Sequence, residues 1–458
     1  MLFSEDDTII APLTAPGHGA VTILRLSGSK SLDLVLTHFF NKSFNRFRSL
    51  LSHYFYYGFI CDEGVSIDEV MVVYMASPKS YTREDVVEIH CHSSVAVVRN
   101  IIDIFVRSGV RIAEPGEFTY RAFKNGRIDL SHAEAIADLI AAKSTMASQL
   151  ALRQMKGALS GRVYEFKDTI LSMLALIEAY IDFPEEDIDK HHALSIQRDC
   201  ELLLSKVEET LSGYDEGKIL REGFSLLILG KPNVGKSSLL NLLVGEDRAI
   251  VTNIPGTTRD IIQETITLHG YPITVIDTAG IRDSDDPIEQ DGVSRAKNQI
   301  GSADVILYMV DGSQPFDISI VQDIKLLPAD RFIFVVNKCD KPDFDFPESQ
   351  ISNFINFSIS VKENTGVEQL INGILDKLNL NSRHHDESVV LSDRRHKDIL
   401  VRCHAFLKDF IEAFESGHSD EFLALHLREA LQALGEITGE TTPDDILNDI
   451  FGRFCIGK

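Results

Sequence analysis

Residues 230–237, which read Gly-Lys-Pro-Asn-Val-Gly-Lys-Ser, constrain the fold of this chain more than any other segment. The apolar run from Ser225 to Leu229 comes directly before them, and a helical pattern from Lys236 to Val244 follows. Glycines let backbone N–H groups wrap phosphate oxygens, and the positive end of the following helix adds to the attraction. The segment therefore predicts a phosphate-binding loop between a buried strand and a helix.

Further short apolar runs follow this loop, at Ile273–Ile276, Val305–Val310 and Phe332–Val336. Runs of strand length that alternate with helical patterns predict a parallel sheet with helices on both faces. We assign residues 220–379 to this α/β domain.

The rest of the chain predicts two other kinds of structure. Residues 1–120 carry short β-rich runs punctuated by Gly and Pro, which is typical of a small α+β domain. Residues 121–219 and 380–458 show helical spacing, and one such pattern runs from Ala133 to Ala151. The α/β domain is therefore expected to be inserted into a discontinuous helical domain.

Composition narrows the class of protein. The 458 residues include 45 Lys and Arg against 69 Asp and Glu, which gives a formal charge of −24. Such a chain repels polyanions, so we expect nucleic acid to be met through a local patch or through a basic partner. Six scattered cysteines without a Cys-x-x-Cys pair argue against a disulfide framework or a zinc site. An acidic N-terminus and the lack of a long apolar run predict a cytoplasmic protein.

Chemistry at the ends of the predicted strands points to a nucleotide. Lys236 is expected to reach the β- and γ-phosphates, and Ser237 to ligate Mg²⁺. The tetrapeptide Asp277 to Gly280 follows the run that ends at Ile276, where an acid can hold the magnesium shell and a glycine N–H can sense the γ-phosphate.

A second loop predicts the base. Asn337-Lys338-Cys339-Asp340 ends another apolar strand, and Asp340 can accept the two N–H donors of guanine, which adenine lacks. Asn337 would brace the loop, and the stem of Lys338 would lie on the base. Residues 358–360 are either a second purine-contacting loop or an ordinary strand end.

Three features bear on hydrolysis. A threonine of the segment Gly256 to Asp260 can complete the Mg²⁺ shell when a γ-phosphate holds the loop closed. Ile281 follows Gly280, and an isoleucine cannot orient water, so hydrolysis needs another group. Asn233, with backbone carbonyls of residues 249–254, can bind a monovalent cation that replaces an arginine finger; alternatively it is a turn asparagine that needs no ion.

These motifs resemble the MnmE family of tRNA-modification GTPases, also called TrmE. The resemblance rests on the extended loop GKPNVGKSSLLN, on GTTRD and DTAG, and above all on the C-terminal FCIGK. It spans the chain, because three further segments are similar to that family: residues 23–28, Pro115–Phe118 and Ile181–Pro184.

The resemblance implies an architecture and a reaction. It implies an N-terminal α+β domain that binds tetrahydrofolate and forms a homodimer, a discontinuous helical domain and an inserted GTPase domain. It also implies that a FAD-containing partner, MnmG, joins in a heterotetramer to modify carbon 5 of the wobble uridine of tRNA. The carbon would come from a folate such as 5-formyl- or methylene-tetrahydrofolate, and GTP hydrolysis with K⁺ and Mg²⁺ would move the GTPase domains.

The resemblance also implies roles for individual residues. The implied K⁺ ligands are Asn233, Thr252, Ile254 and Thr257, and the Mg²⁺ ligands are Ser237 and Thr258. The implied GTP-binding residues are Asn233, Val234, Gly235, Lys236, Ser237, Ser238, Thr252, Asn253, Ile254, Pro255, Gly256, Thr257, Thr258, Asp277, Thr278, Ala279, Gly280, Asn337, Lys338, Asp340, Ser358, Ile359 and Ser360. The implied catalytic residues are Glu289 and Cys455. The implied folate-binding residues are Arg25, Glu88, Arg127 and Lys458.

Two of these roles have simpler alternatives. Glu289 would orient the attacking water through a second water, but it also fits a solvated acid in a charged loop. Cys455 would be a nucleophile, line the one-carbon site, or be an ordinary buried thiol. The helix before it is predicted to have Thr442 as its cap and to end at Gly452.

Two other functions remain open at this point. One is a ribosome-assembly GTPase that binds RNA without covalent chemistry, although such proteins usually carry a basic module. The other is a regulatory GTPase whose folate module is degenerate.

Overall fold

The computed structural model describes residues 7–15, 19–182, 190–246, 263–277, 300–301, 303–315, 330–343, 354–378, 380, 391–455 and 457–458. The chain forms two compact units. Unit one comprises residues 1–137, 154–187 and 417–458, and unit two comprises residues 138–153 and 188–416. Among the helices of the described residues, none has the length and apolar character that crossing a membrane requires.

In the described residues the strands are β1 (Ile9–Pro12), β2 (Val21–Ser27), β3 (Phe39–Phe40), β4 (Phe55–Asp62), β5 (Val65–Met75), β6 (Val86–His92), β7 (Arg111–Ile112), β8 (Phe224–Gly230), β9 (Gln263–Leu268), β10 (Tyr271–Asp277), β11 (Val305–Asp311), β12 (Phe332–Asn337) and β13 (Asn356–Ile359). The helices are α1 (Ser31–His38), α2 (Val95–Arg107), α3 (Glu117–Lys124), α4 (Leu130–Ala141), α5 (Thr145–Met155), α6 (Ala158–Asp182), α7 (Lys190–Ser212), α8 (Tyr214–Glu222), α9 (Lys236–Glu246), α10 (Val367–Lys377), α11 (Arg394–Glu415), α12 (Asp420–Thr438) and α13 (Asp444–Gly452).

The sheet of unit one has the strand order β3-β4-β5-β6-β2-β1-β7. Its neighbours pair antiparallel except β1 and β7, which are parallel. Because side chains alternate between the faces of a strand, Leu24 and Leu26 enter the core against Phe105 of α2. Arg25 therefore points to the other face, where it lies directly opposite Glu88 of β6.

The C-terminal tail is held against unit one. Phe451 and Phe454 are buried in a cluster with Leu130 of α4. Gly457 has a φ of 97°, and a Cβ there would lie 2.1 Å from the carbonyl oxygen of Pro12. The tail backbone therefore passes close to β1 at a point where glycine is required.

The sheet of unit two contains the four predicted strands, β8, β10, β11 and β12, in parallel pairing. Its order is β13-β12-β11-β8-β10-β9, and all neighbours are parallel except β9 and β10. The antiparallel edge hairpin was not predicted. Its turn, His269-Gly270, has positive φ at both residues, which suits the twist of a tight hairpin.

Two helical predictions are corrected. The pattern from Ala133 to Ala151 spans two helices, because α4 ends at Ala141 and α5 begins at Thr145. Ser144 Oγ accepts a hydrogen bond from the N–H of Ala147 at the start of α5. Thr442 does not cap α13. The residue at the cap position is Pro443, and the Thr442 hydroxyl donates to the carbonyl of Glu436 instead, at 2.9 Å.

Candidate functional site

The phosphate-binding loop lies between β8 and α9. Gly230 and Gly235 have φ of 146° and 106°, and Asn233 has a φ of 64°, a left-handed conformation that asparagine tolerates better than most residues. The Lys236 ammonium donates to the carbonyls of Gly230 and Lys231, both at 2.9 Å. The lysine side chain therefore folds back across the loop, and Lys236 and Ser237 form the first turn of the helix.

Asn337 connects this loop to the end of β12. Its side-chain Nδ2 donates to the carbonyl of Val234 at 2.8 Å, and its Oδ1 accepts from the N–H of Val361 at 3.2 Å. Asn337 is buried, so these contacts are shielded from water. One side chain thus joins the phosphate loop to the segment after β13.

The Lys338 side chain joins the phosphate loop to Asp311 at the end of β11. Its Nζ donates to the carbonyl of Asn233 at 2.9 Å and to Asp311 Oδ2 at 2.6 Å. Burial raises the pKa of Asp311, but the hydrogen bonds from Lys338 and Ser313 outweigh it and lower that pKa below its usual value. Asp311 was missed by sequence reasoning, although an acid at the end of the apolar strand β11 was a visible signal.

Asp340 is held by a neighbouring hydroxyl. Ser360 Oγ, which is buried, donates to Asp340 Oδ1 at 2.6 Å. That hydrogen bond is the main reason why the pKa of Asp340 is lowered, with smaller contributions from Lys362 and Lys341. The carboxylate is therefore an acceptor at neutral pH, as pairing with two N–H donors of a base requires. Residues 358 and 359 belong to β13, and Ser360, which follows that strand, bonds to Asp340.

Many predicted nucleotide and cation residues lie outside the described residues. These are Thr252, Asn253, Ile254, Pro255, Gly256, Thr257, Thr258, Thr278, Ala279, Gly280, Ile281 and Glu289. Asp277 is described only as the backbone end of β10. Of the predicted cation ligands, Asn233 and Ser237 are described, and both carry side-chain oxygens of the kind that K⁺ and Mg²⁺ prefer.

A second cluster of predicted residues lies on the face of the sheet in unit one that is opposite the core formed with α2. Arg25 Nε and Nη2 both donate to Glu88 Oε1, at 2.9 and 2.7 Å. The two side chains are only 13% and 15% exposed. His90 follows Glu88 two residues later in β6, and its Nε2 lies 3.9 Å from Glu88 Oε2. The structure thus brings together two of the four predicted folate residues as an ion pair.

Tyr81 links this pair to a third predicted residue. Its ring lies 4.7 Å from the guanidinium carbon of Arg25 and 4.6 Å from that of Arg127. Arg127 also donates to the Tyr81 carbonyl at 3.0 Å, and the Tyr81 hydroxyl is 3.0 Å from Thr119 Oγ1. Sequence reasoning missed Tyr81, because nothing local marks a tyrosine as a platform for two distant arginines.

The tail brings the fourth predicted residue toward the cluster. The carbonyl of Lys458 accepts from the N–H of Phe118 at 3.1 Å, and the Phe118 ring lies 5.5 Å from the Arg25 guanidinium carbon. Cys455 is exposed, so the interpretation of it as a buried thiol is wrong.

A buried ion network supports the elements around this cluster. Glu117 and Arg121 of α3 are 0% and 5% exposed, and Arg121 Nη2 donates to Glu117 Oε1 at 2.9 Å. Arg111 donates to Glu117, and both arginines donate to Asp7. These hydrogen bonds outweigh the effect of burial and lower the pKa of Asp7. The network fixes α3, which carries Phe118 and Thr119.

Two family models match the chain. One described as the MnmE helical domain matches residues 130–455, and one described as the GTP-binding protein TrmE N-terminus matches residues 8–127. Curated relatives match nearly full length. The chain is 48% identical to the tRNA modification GTPase MnmE of Syntrophotalea carbinolica, over 99% of this chain and 100% of that protein. It is 46% and 45% identical to the proteins of the same name from Geotalea uraniireducens and Geobacter sulfurreducens, over 99% of each chain.

Proposed function

The chain belongs to the MnmE/TrmE family of tRNA modification GTPases and is a GTP hydrolase of tRNA modification. From this premise we propose that it is a K⁺-dependent GTPase that acts with a FAD-containing MnmG partner on carbon 5 of the wobble uridine. The carbon is supplied by a tetrahydrofolate derivative bound in unit one.

The observation that carries the nucleotide assignment is the set of contacts among Asn337, Asp340 and the phosphate loop. Asp340 is ionised and held by Ser360, which supports guanine as its partner. Asn337 ties the same region to Val234 of the loop. A base and a phosphate chain that bind here would therefore be positioned by one connected frame, which is how a nucleotide is oriented for hydrolysis.

The hydrolytic step is assigned to the residues around that frame. Lys236 binds and orients the β- and γ-phosphates, and Ser237 with Thr258 would hold Mg²⁺. Asn233, Thr252, Ile254 and Thr257 would hold K⁺. When bound, these cations supply the positive charge that stabilises the transferred phosphoryl group. Glu289 orients the attacking water, since Ile281 cannot.

The folate assignment rests on the cluster around Tyr81. A reduced pterin presents a donor edge like that of guanine, and Glu88 is a carboxylate that can accept it. Arg25 and Arg127 are held on the Tyr81 ring, where they can face the glutamyl carboxylates of a folate. Lys458 completes the set from the tail, and Cys455 has the exposure that a role in one-carbon chemistry needs.

The remaining parts of the proposal concern assembly. A homodimer formed through the N-terminal domain binds the MnmG partner in a heterotetramer in the cytoplasm. The partner contributes most of the tRNA contact, because a charge of −24 repels a polyanion. The same charge gives no support to an RNA-binding ribosome-assembly GTPase.

Mass spectrometry of tRNA nucleosides tests the proposal. A strain that lacks this chain should lose the substituent on carbon 5 of the wobble uridine, and the wild-type chain should restore it. The chain should also co-purify with a FAD-containing protein. Unchanged wobble nucleosides in the deletion strain would refute the proposed reaction.

A further inference from the structure

We propose that the open cavity beside Arg25 and Arg127 binds the glutamate tail of a polyglutamylated folate, so that the chain prefers folates with several glutamates to those with one. This inference rests on the proposed folate site and adds a substrate class to it. A folate with one glutamate carries two carboxylates, and each γ-linked glutamate adds one more.

The first observation is the composition of the cavity wall. The cavity has a volume of about 530 Å³. Its described lining residues are Arg25, His53, Met75, Pro78, Lys79, Ser80, Tyr81, Arg83 and Arg127. Four of these side chains are cations at neutral pH, and none of the residues in this lining is acidic. A cationic cavity in a chain with a charge of −24 selects for an anionic ligand.

The second observation concerns the two acids of the loop between β5 and β6, residues 76–85, which also carries Lys79 and Arg83. Glu84 accepts a hydrogen bond from Ser27 Oγ at 2.7 Å and lies 3.3 Å from Arg121, so its charge is used by the buried network. Asp85 accepts from the Tyr74 hydroxyl at 2.8 Å and from the N–H of Ser77 at 3.0 Å. The loop therefore bonds its two acids to partners outside the cavity lining, while its cations line the cavity.

The third observation is that three of the four cations, Lys79, Arg83 and Arg127, have no carboxylate partner in the described residues. The fourth, Arg25, is paired with Glu88. Arg83 donates to the carbonyl of Asn125 and Arg127 to that of Tyr81, both at 3.0 Å, and carbonyls do not neutralise a guanidinium. Within the described ranges, neither these two arginines nor Lys79 forms an ion pair with a carboxylate. Three free cations exceed the two carboxylates of a monoglutamate and match a longer tail.

The size of the cavity favours a small ligand over nucleic acid. A volume of about 530 Å³ lies in the range of small-molecule sites. Arg25 lines the cavity and is paired with Glu88, the carboxylate that is proposed to accept the pterin. A tRNA backbone would instead need a longer basic stripe. Contact between Lys79 or Arg83 and tRNA phosphates is therefore treated as an outcome that would overturn the proposal.

Titration of the full-length chain with 5-formyltetrahydrofolate in its mono- and triglutamate forms tests the inference. The wild type should bind the triglutamate about three- to tenfold more tightly at low salt. The double variant Lys79→Gln with Arg83→Asn should bind the monoglutamate as before and lose most of that advantage. Asparagine is chosen at 83 because the backbone there has a φ of 61°, which asparagine tolerates. The matched control is Lys42→Gln, an exposed lysine in the turn after β3 that does not line the cavity.

The outcomes separate the two proposals. Equal affinity of the wild type for both folates overturns the inference and leaves the folate site standing. Binding of neither folate overturns the folate site itself. A double variant that still prefers the triglutamate also overturns the inference. If that variant in addition loses tRNA binding in a filter-binding assay, the two cations contact tRNA instead of the folate tail. Thermal melting of each variant confirms that it is folded.

Discussion

Two carboxylates are proposed to accept hydrogen bonds from a nitrogen heterocycle, and their surroundings differ. Asp340 is exposed and accepts a hydrogen bond from the Ser360 hydroxyl. Glu88 is mostly buried and gives one oxygen to both donors of Arg25. A hydroxyl leaves most of the charge of Asp340 available to a base, whereas Glu88 shares its charge with an arginine before any ligand binds.

Asp340→Asn tests the base assignment at the scale of one residue. An amide presents a donor where the carboxylate presents an acceptor, so GTP affinity should fall by at least about tenfold and xanthosine triphosphate should bind instead. The measurement is binding of fluorescently labelled nucleotides, since the chain has no Trp. Asp343→Asn, an exposed neighbour, is the matched control. An unchanged preference for GTP in the Asp340 variant would remove the basis for guanine recognition.

At the scale of elements, the proposed functional residues lie where strands and helices end. Asp311, Asn337 and Asp340 end or follow β11 and β12, two neighbouring parallel strands whose carboxyl ends meet at one edge of the sheet. In unit one, the tail after α13 reaches β1 and α3. The tail is short, so its path depends on the few residues that let the backbone approach β1.

Gly457→Ala tests the role of the tail. The φ of 97° and a Cβ only 2.1 Å from the Pro12 carbonyl should force the tail away from β1. Folate affinity should fall by about tenfold, while GTP hydrolysis by unit two should stay unchanged. Gly452→Ala is the control, because a Cβ at that position meets no atom within 4 Å. Equal folate binding by both variants would mean that the tail does not shape the folate site.

At the scale of the whole molecule, charge is distributed unevenly. The net charge of −24 keeps polyanions away from most of the surface. Within the described part of the chain, the phosphate loop with Lys236 and the cavity lined by Lys79, Arg83 and Arg127 depart from that average. Both are proposed sites for anionic ligands, and they lie in different units of the chain.

Replacing KCl by NaCl tests the cation that the whole GTPase cycle is proposed to need. Turnover should fall by at least about tenfold if a bound K⁺ replaces an arginine finger. Asn233→Gly should make the rate insensitive to this exchange, because glycine keeps the φ of 64° and removes the amide oxygen. The measurement is phosphate release at saturating GTP and constant ionic strength. Identical wild-type rates in the two salts would contradict the proposed K⁺ site.

The phosphate loop, the parallel sheet and the position of Asp340 just after a buried strand could be predicted because each is specified by a short stretch of residues. Period, spacing and a few glycines within residues 224–246 were sufficient to predict β8, the loop and α9. The antiparallel hairpin of β9 and β10, the break between α4 and α5 and the cap of α13 were missed, because local patterns do not set strand order or the partners of a hydroxyl.

What the sequence determined by itself was the chemistry available, namely which residues can bind phosphate, accept from guanine or carry charge. The tertiary structure decided which of them meet. Tyr81 contacts Arg25 and Arg127, which are distant from it in sequence, and Lys338 is anchored by Asp311 of another strand. Such contacts depend on the order of strands in each sheet, and that order is set by the burial of whole faces and not by neighbours along the chain.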